Sequence, residues 1–417
     1  MKEFYPLLEN SSLYQMREWQ HAGTMPLNIM AQACKEIHTS PLNPLAYTEY
    51  GKSMAAACEL VQRATQRYHK PVFGLKETKV GNKIVAVNDQ VVLDKAFCEL
   101  RYFKREESYD HPQMLIVAPM SGHHATLLRG TVQALLPFYE VYITDWKNAR
   151  EVPTSEGEFG FDDYLTYIIE FLEHIGPGVH TIAVCQPSVQ LFAATALMNA
   201  KKHKCTPKSI ILMGGPIDTR VNPTQVNQLA TEKPISWFEQ NVITRVPFNY
   251  PGFMRRVYPG FLQLTGFMTM NLKRHIGEHI SLFWHLVKGD GESAQSHKKF
   301  YNEYLSVADL DAKFYLETIE HVFQKHALPE GTLMVKGENI DPGKITKTAI
   351  LCIEGELDDI SGVGQTKAAI DLCTTLPETM KKYHLQKNVG HYGIFNGRRY
   401  REHIVPVIRD FIKKHDK

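Results

Sequence analysis

HTIAVCQPSVQLFAATALM (180–198) is the stretch on which the fold of this chain turns. His180 to Val184 is short, β-branched and apolar, the pattern of a buried strand. It runs directly into Cys185, and a helical pattern begins at Ser188. Ala183 is small enough to pack beneath a tight turn. Pro187 stands where a helix starts, a position at which its missing N–H costs nothing. A cysteine on a sharp strand-to-helix turn presents its sulfur at the carboxyl edge of a sheet, so Cys185 is a candidate nucleophile. The competing reading is a structural thiol at the end of a core strand, because free cysteine is among the most buried residue types.

The far end of the chain tips the balance toward the nucleophile. Residues 349–354 (AILCIE) read as a buried strand that leads into Gly355-Glu356-Leu357-Asp358-Asp359-Ile360. Residues 381–388 (KKYHLQKN) read as another strand, followed by Val389-Gly390-His391-Tyr392-Gly393. Nucleophile, carboxylate and histidine in that order, each just past a strand, is the arrangement of an α/β-hydrolase, whose elbow usually reads G-x-S-x-G. Here the five positions are Ala183-Val184-Cys185-Gln186-Pro187, with cysteine for serine and neither glycine. His391 would take the thiol proton, and Asp358 would hold the other imidazole N–H. Asp359 is the rival carboxylate; Asp358 is preferred because it comes first after the strand. The oxyanion hole would use the backbone N–H of Gln186 and one from the loop after strand 114–118, at Met120 or Ser121. His123 and His124 read as loop and first-turn residues of the next helix.

Outward from these segments the chain alternates strand and helix: MLIVA (114–118), YEVYIT (139–144) before Asp145-Trp146, the amphipathic 161–175, the strand ending at Cys185, and SIILMG (209–214). Such alternation argues an α/β fold with a mostly parallel, doubly wound sheet. Residues 84–104 alternate as a hairpin that opens the sheet. The expected organisation is an N-terminal helical extension (1–75), the first part of the core (76–220), a cap insertion without strong strands (221–345) and the second part of the core (346–417). The cap is dense in aromatics: Trp237, Phe238, Phe248, Tyr250, Phe253, Tyr258, Phe261, Phe267, Phe283, Trp284, Phe300, Tyr301 and Tyr304. They read as cap core or as a groove for an apolar ester. His275-Ile276-Gly277-Glu278-His279 matches H-x-x-E-H, a zinc-protease pattern. Gly277 weakens that helix and no third ligand stands out, so a solvated helix face is the better reading and no metal is expected.

Composition narrows the class. The 417 residues are 43% hydrophobic and 22% charged with a net charge of +2, which is globular and gives no nucleic-acid footprint. Seven widely spaced cysteines without a CxxC read as reduced thiols of a cytoplasmic protein. MKEFYPLLENSS (1–12) lacks the apolar core of a signal peptide, and no run of ~18 apolar residues is present to span a membrane.

Several long stretches carry a family resemblance: APMSGHHATLLRGTV (118–132), YITDW (142–146), VCQPS (184–188), FYNEYL (300–305), LETIEHVFQKHALPEG (316–331), CIEGELDDI (352–360) and GHYGIFNG (390–397), together with residues 43–74. The chain resembles the intracellular poly(3-hydroxybutyrate), or polyhydroxyalkanoate, depolymerases. The resemblance implies a cytoplasmic carboxylic ester hydrolase working on polyester granules, with Cys185 as nucleophile, Asp358 as acid and His391 as base. It implies no cofactor, and coenzyme A is an alternative to water as acyl acceptor because thioesters exchange with thiols. The related polyester synthases carry glycines around their cysteine, absent here, which favours degradation. The alternatives are a synthase-like acyltransferase or short-chain esterase on the same scaffold, and a granule-binding protein without activity.

Overall fold

A computed structural model describes residues 5–270 and 272–416. Residues 1–4, the start of the segment read as lacking a leader, lie outside the described residues. Two antiparallel helices come first, α1 (Tyr5–Thr39) and α2 (Glu49–Thr65), separated at Asn43-Pro44 and capped by the Thr48 side chain on the Gly51 N–H. A disulfide joins Cys34 of α1 to Cys58 of α2. This corrects the reading of all seven cysteines as reduced. Cys98, Cys185, Cys205, Cys352 and Cys373 are free, but a helix hairpin brings two residues 24 apart into contact, which spacing along the chain does not reveal.

The sheet has nine strands in the order β1-β2-β3-β5-β4-β6-β7-β13-β14. The first three, β1 (Glu77–Val80), β2 (Lys83–Asp94) and β3 (Cys98–Arg105), form an antiparallel meander. β3 pairs antiparallel with β5 (Glu140–Trp146), and from there every pairing is parallel through β4 (Gln113–Val117), β6 (His180–Val184), β7 (Ser209–Met213), β13 (Ala349–Gly355) and β14 (Lys381–Gln386). Sequence order reverses beside β4, so the crevice of this doubly wound sheet opens at the carboxyl ends of β4 and β6. β6, β7 and β13 are buried along their whole length. Helices cover both faces, which is why these strands read as continuous apolar runs. Those helices include α3 (Arg129–Leu135), α4 (Phe161–Ile175) and α5 (Pro187–Ala200). α5 is buried almost all round, as its apolar sequence requires. This is the α/β-hydrolase fold.

Between β7 and β13 lies the cap. It contains α6 (Gln225–Glu232), α7 (Ile235–Asn241), α8 (Gly260–Met270), α9 (Leu272–Lys288), α10 (Gly291–Tyr304) and α11 (Ala312–Thr318). The sequence pattern gives no strong strand here. The structure nevertheless forms five short ones: β8 (Thr244–Arg245), β9 (Arg256–Tyr258) and β10 (Leu310–Asp311) in one small sheet, β11 (Met334–Val335) and β12 (Glu338–Asn339) in another. Two or three residues are too few for an alternation to register. The remaining helices, α12 (Ala368–Leu372), α13 (Gly397–Arg399) and α14 (Val405–His415), follow in the second part of the core.

The N-terminal helices are tied to the cap. The Tyr14 hydroxyl donates to Asp309, whose other carboxylate oxygen accepts the Gly260 N–H at 2.9 Å. Burial raises the Asp309 carboxyl above its usual range, against the pull of Arg150 and Tyr14. On α2, Glu59 bridges Lys35 of α1 and Lys298 of α10. Among the described residues no helix is long and apolar enough to cross a membrane.

Candidate active site

β6 ends at Val184 and α5 begins at Pro187. Cys185 between them holds φ +68°, a left-handed conformation that is rare away from glycine. It is kept there by its own N–H donating to the Met213 carbonyl at 2.7 Å and by its carbonyl accepting the Ser188 N–H at 3.0 Å. Backbone strain of this kind costs on the order of 1–3 kcal/mol and is typical of turns that aim a reactive side chain. The half-buried Cys185 lines a cavity of about 840 Å³ at the sheet's carboxyl edge. Ser188, by contrast, is fully buried behind the turn.

Three residues beyond Gly355, the end of β13, Asp358 turns back over the sheet. Its Oδ1 accepts the N–H groups of Ile360 and Ser361, each at 2.9 Å, and its Oδ2 accepts from Nδ1 of His391 at 2.7 Å. Both side chains are buried. Asp359 points elsewhere and borders a second cavity. His391 follows β14 at the start of a 3₁₀ turn. Burial opposes charge on its ring, but the Asp358 carboxylate outweighs burial, with nearby Cys185 acting in the same direction. The imidazole is therefore held well above its ordinary pKa. With Nδ1 committed to Asp358, Nε2 is the nitrogen left for the sulfur.

Gly214, directly after β7, makes room for this pair. Its φ is +57°, and a Cβ there would come within 2.7 Å of Ile394 and 3.2 Å of both Asp358 Oδ2 and His391 Cε1. The sequence signal for it was a glycine at the end of a buried strand, read above only as the end of SIILMG. Tyr392 was also passed over. Its ring lies 5.9 Å from those of both His391 and Tyr304.

Gln186, Met120 and Ser121 all line the same cavity. Their backbone N–H groups donate to no backbone carbonyl in the turns and loops among the described residues. The Ser121 carbonyl accepts from the Gln263 amide of α8, which ties the loop after β4 to the cap. His123 and His124 are buried beside it. His123 Nε2 bonds the Tyr304 carbonyl at 3.1 Å. Burial lowers His123 to about 4, and burial with the charges of Lys70, His123 and Arg150 lowers His124 to about 3.

Of the cap aromatics, Phe238, Tyr258 and Phe267 wall the main cavity, while Phe300, Tyr301 and Tyr304 face the second one. Tyr250 and Phe261 instead pack against Tyr14 of α1, and Phe248 and Trp284 are exposed. In the H-x-x-E-H segment, His275 Nδ1 bonds the Tyr301 hydroxyl at 2.8 Å and His279 packs on His297 and Tyr301. No group of three or more metal-ligating side chains forms among the described residues.

Solved structures similar to this chain include a thermophilic esterase from Thermogutta terrifontis, 12% identical with a TM-score of 0.42 over 79% of this chain and 99% of that one. A monoacylglycerol lipase from Paleococcus ferrophilus is 9% identical, with a TM-score of 0.40 over 74% of this chain and 97% of that one. Likeness at this level carries neither name over. No curated protein matches the chain. Residues 214–416, from the glycine against Asp358 and His391 to the end of α14, match the family described as PHB de-polymerase C-terminus. That match spans just under half of the chain and places its C-terminal part with the PHB (polyhydroxybutyrate) depolymerases.

Proposed function

We propose that the chain cleaves poly(3-hydroxybutyrate)-type polyester through a cysteinyl acyl-enzyme. Cys185 Sγ gives its proton to His391 Nε2 and attacks the ester carbonyl carbon, forming the S–C bond. The oxyanion is received by the Gln186 N–H and one from Met120 or Ser121, a type of donor commonly worth ~2.7–4 kcal/mol each. Collapse breaks the C–O bond, and the His391 proton goes to the departing alkoxide. Water then loses a proton to His391 and attacks the thioester, the C–S bond breaks, and the proton returns to sulfur. Asp358 keeps the imidazole in one tautomer and stabilises its charged form. The substrate is the polyester named by the family, met at the granule surface.

The observation that carries this reading is the 2.7 Å Asp358–His391 bond beside a strained Cys185, with Cys185 and His391 both opening on one apolar cavity. The test is Cys185→Ala on amorphous polyhydroxybutyrate granules, following release of 3-hydroxybutyrate. Turnover should vanish while granule binding persists. Retained depolymerisation would transfer suspicion to Ser188 and end the assignment.

A further inference from the structure

A second cavity, of about 860 Å³, lies on the other side of His391. It shares Phe267, Ile360, His391 and Tyr392 with the first, so the two meet at the imidazole. Their walls differ in kind. The first is lined by Leu127, Leu229 and Phe314 among other apolar groups, the second by charged groups of both signs, Arg274, Arg398 and Arg399 with Glu278, Glu292 and Asp359. An acyl transfer divides its substrate at this point. The acyl part stays bonded to sulfur, and the alcohol part departs past the imidazole that protonates it. In a head-to-tail 3-hydroxyacyl chain, that departing fragment runs toward the carboxyl end and finishes in a carboxylate.

The second cavity holds a cation suited to that end group. Arg274 is exposed on the first turn of α9 and borders this cavity. Glu278, one turn further along the same helix, also borders the cavity without pairing to it. The other two arginines are engaged: Arg398 pairs with Glu402, and Arg399 donates to the Asn388 carbonyl. The Tyr304 ring lines the same cavity as Arg274 and lies 5.9 Å from that of Tyr392 beside His391. A guanidinium presents parallel donors that match a carboxylate.

Resting on the depolymerase reading above, we propose that this cavity is the leaving-group compartment and that Arg274 binds the carboxylate terminus of the departing 3-hydroxyacyl fragment. The enzyme then distinguishes chain ends from chain interiors by charge.

Binding without turnover tests this independently of the chemistry. The full chain carrying Cys185→Ala is titrated by calorimetry with a linear 3-hydroxybutyrate tetramer, as the free acid and as its methyl ester. The acid should bind about tenfold more tightly. Adding Arg274→Gln should equalise the two ligands, whereas Lys273→Gln, at the adjacent exposed position, should preserve the difference. Equal affinities in the Cys185→Ala protein, or a difference that survives Arg274→Gln, overturns the proposal. Failure of the unsubstituted protein to cleave polymer would instead sink the depolymerase reading, and the binding comparison would stand apart from it.

Discussion

The sheet and the cap enclose the same candidate site but are built on different terms. On the sheet side, β6, β7 and β13 are buried throughout and locked in a continuous parallel ladder. The residues at their ends are fixed by that ladder: Cys185 by a bond to Met213, Asp358 by two N–H groups of its own turn. The cap has strands of two or three residues and a helix, α9, that leaves Leu272, Ile276, Ile280 and Trp284 exposed. Under the proposed function the sheet positions the chemistry, whereas the cap shapes what enters. Changes at the sheet edge should abolish turnover without unfolding the protein, and changes in the cap should alter selection and stability by smaller steps.

The sharpest way to break this comparison is Asp358→Asn. It keeps the shape but reverses the hydrogen bond to His391, and kcat should fall by roughly a thousand- to ten-thousand-fold. The circular dichroism spectrum and melting temperature should change little. A loss below tenfold would mean that another group orients the imidazole.

A medium effect is expected where cap and sheet meet. His123 and His124 are held neutral, their pKa lowered to about 4 and about 3 by burial. Unfolded histidines bind protons from about pH 6.5 downward. Stability is therefore full above that value and is lost as pH falls through the lowered pKa values, by roughly 3 kcal/mol for His123. Urea unfolding between pH 7 and 4 should show the decline, and His123→Gln should flatten it. An unchanged slope in that variant would remove His123 as its source.

The smallest effect should come from Ile280→Ser on the exposed face of α9, within about 0.5 kcal/mol in urea unfolding, as for an ordinary surface site. A loss of 2 kcal/mol or more (roughly the cost of emptying a core position) would show that this face is covered in solution.

The same contrast explains what could be read from sequence. The parallel core announced itself because buried strands are apolar runs, and because Cys185, Asp358 and His391 each follow one. The cavity walls did not. Aromatic density located the cap but could not separate Phe238 and Phe267, which line a cavity, from Phe261, which packs on Tyr14. The Cys34–Cys58 link depends on the register of two helices, and the short strands β8 to β12 carry too few residues to leave a pattern. The second cavity gathers residues from α9, α10 and the loop around His391, so nothing local marks it.

One contact made at the opposite end of the chain has a practical consequence. Tyr14 supplies a proton to Asp309, a carboxylate sealed beneath the cap. Deleting the first helix would leave that buried acid to Arg150 and the Gly260 N–H, with one donor fewer. A trimmed version of the chain, made to ease crystallisation or expression, should therefore carry a loosened cap and admit water to the cavity beneath it.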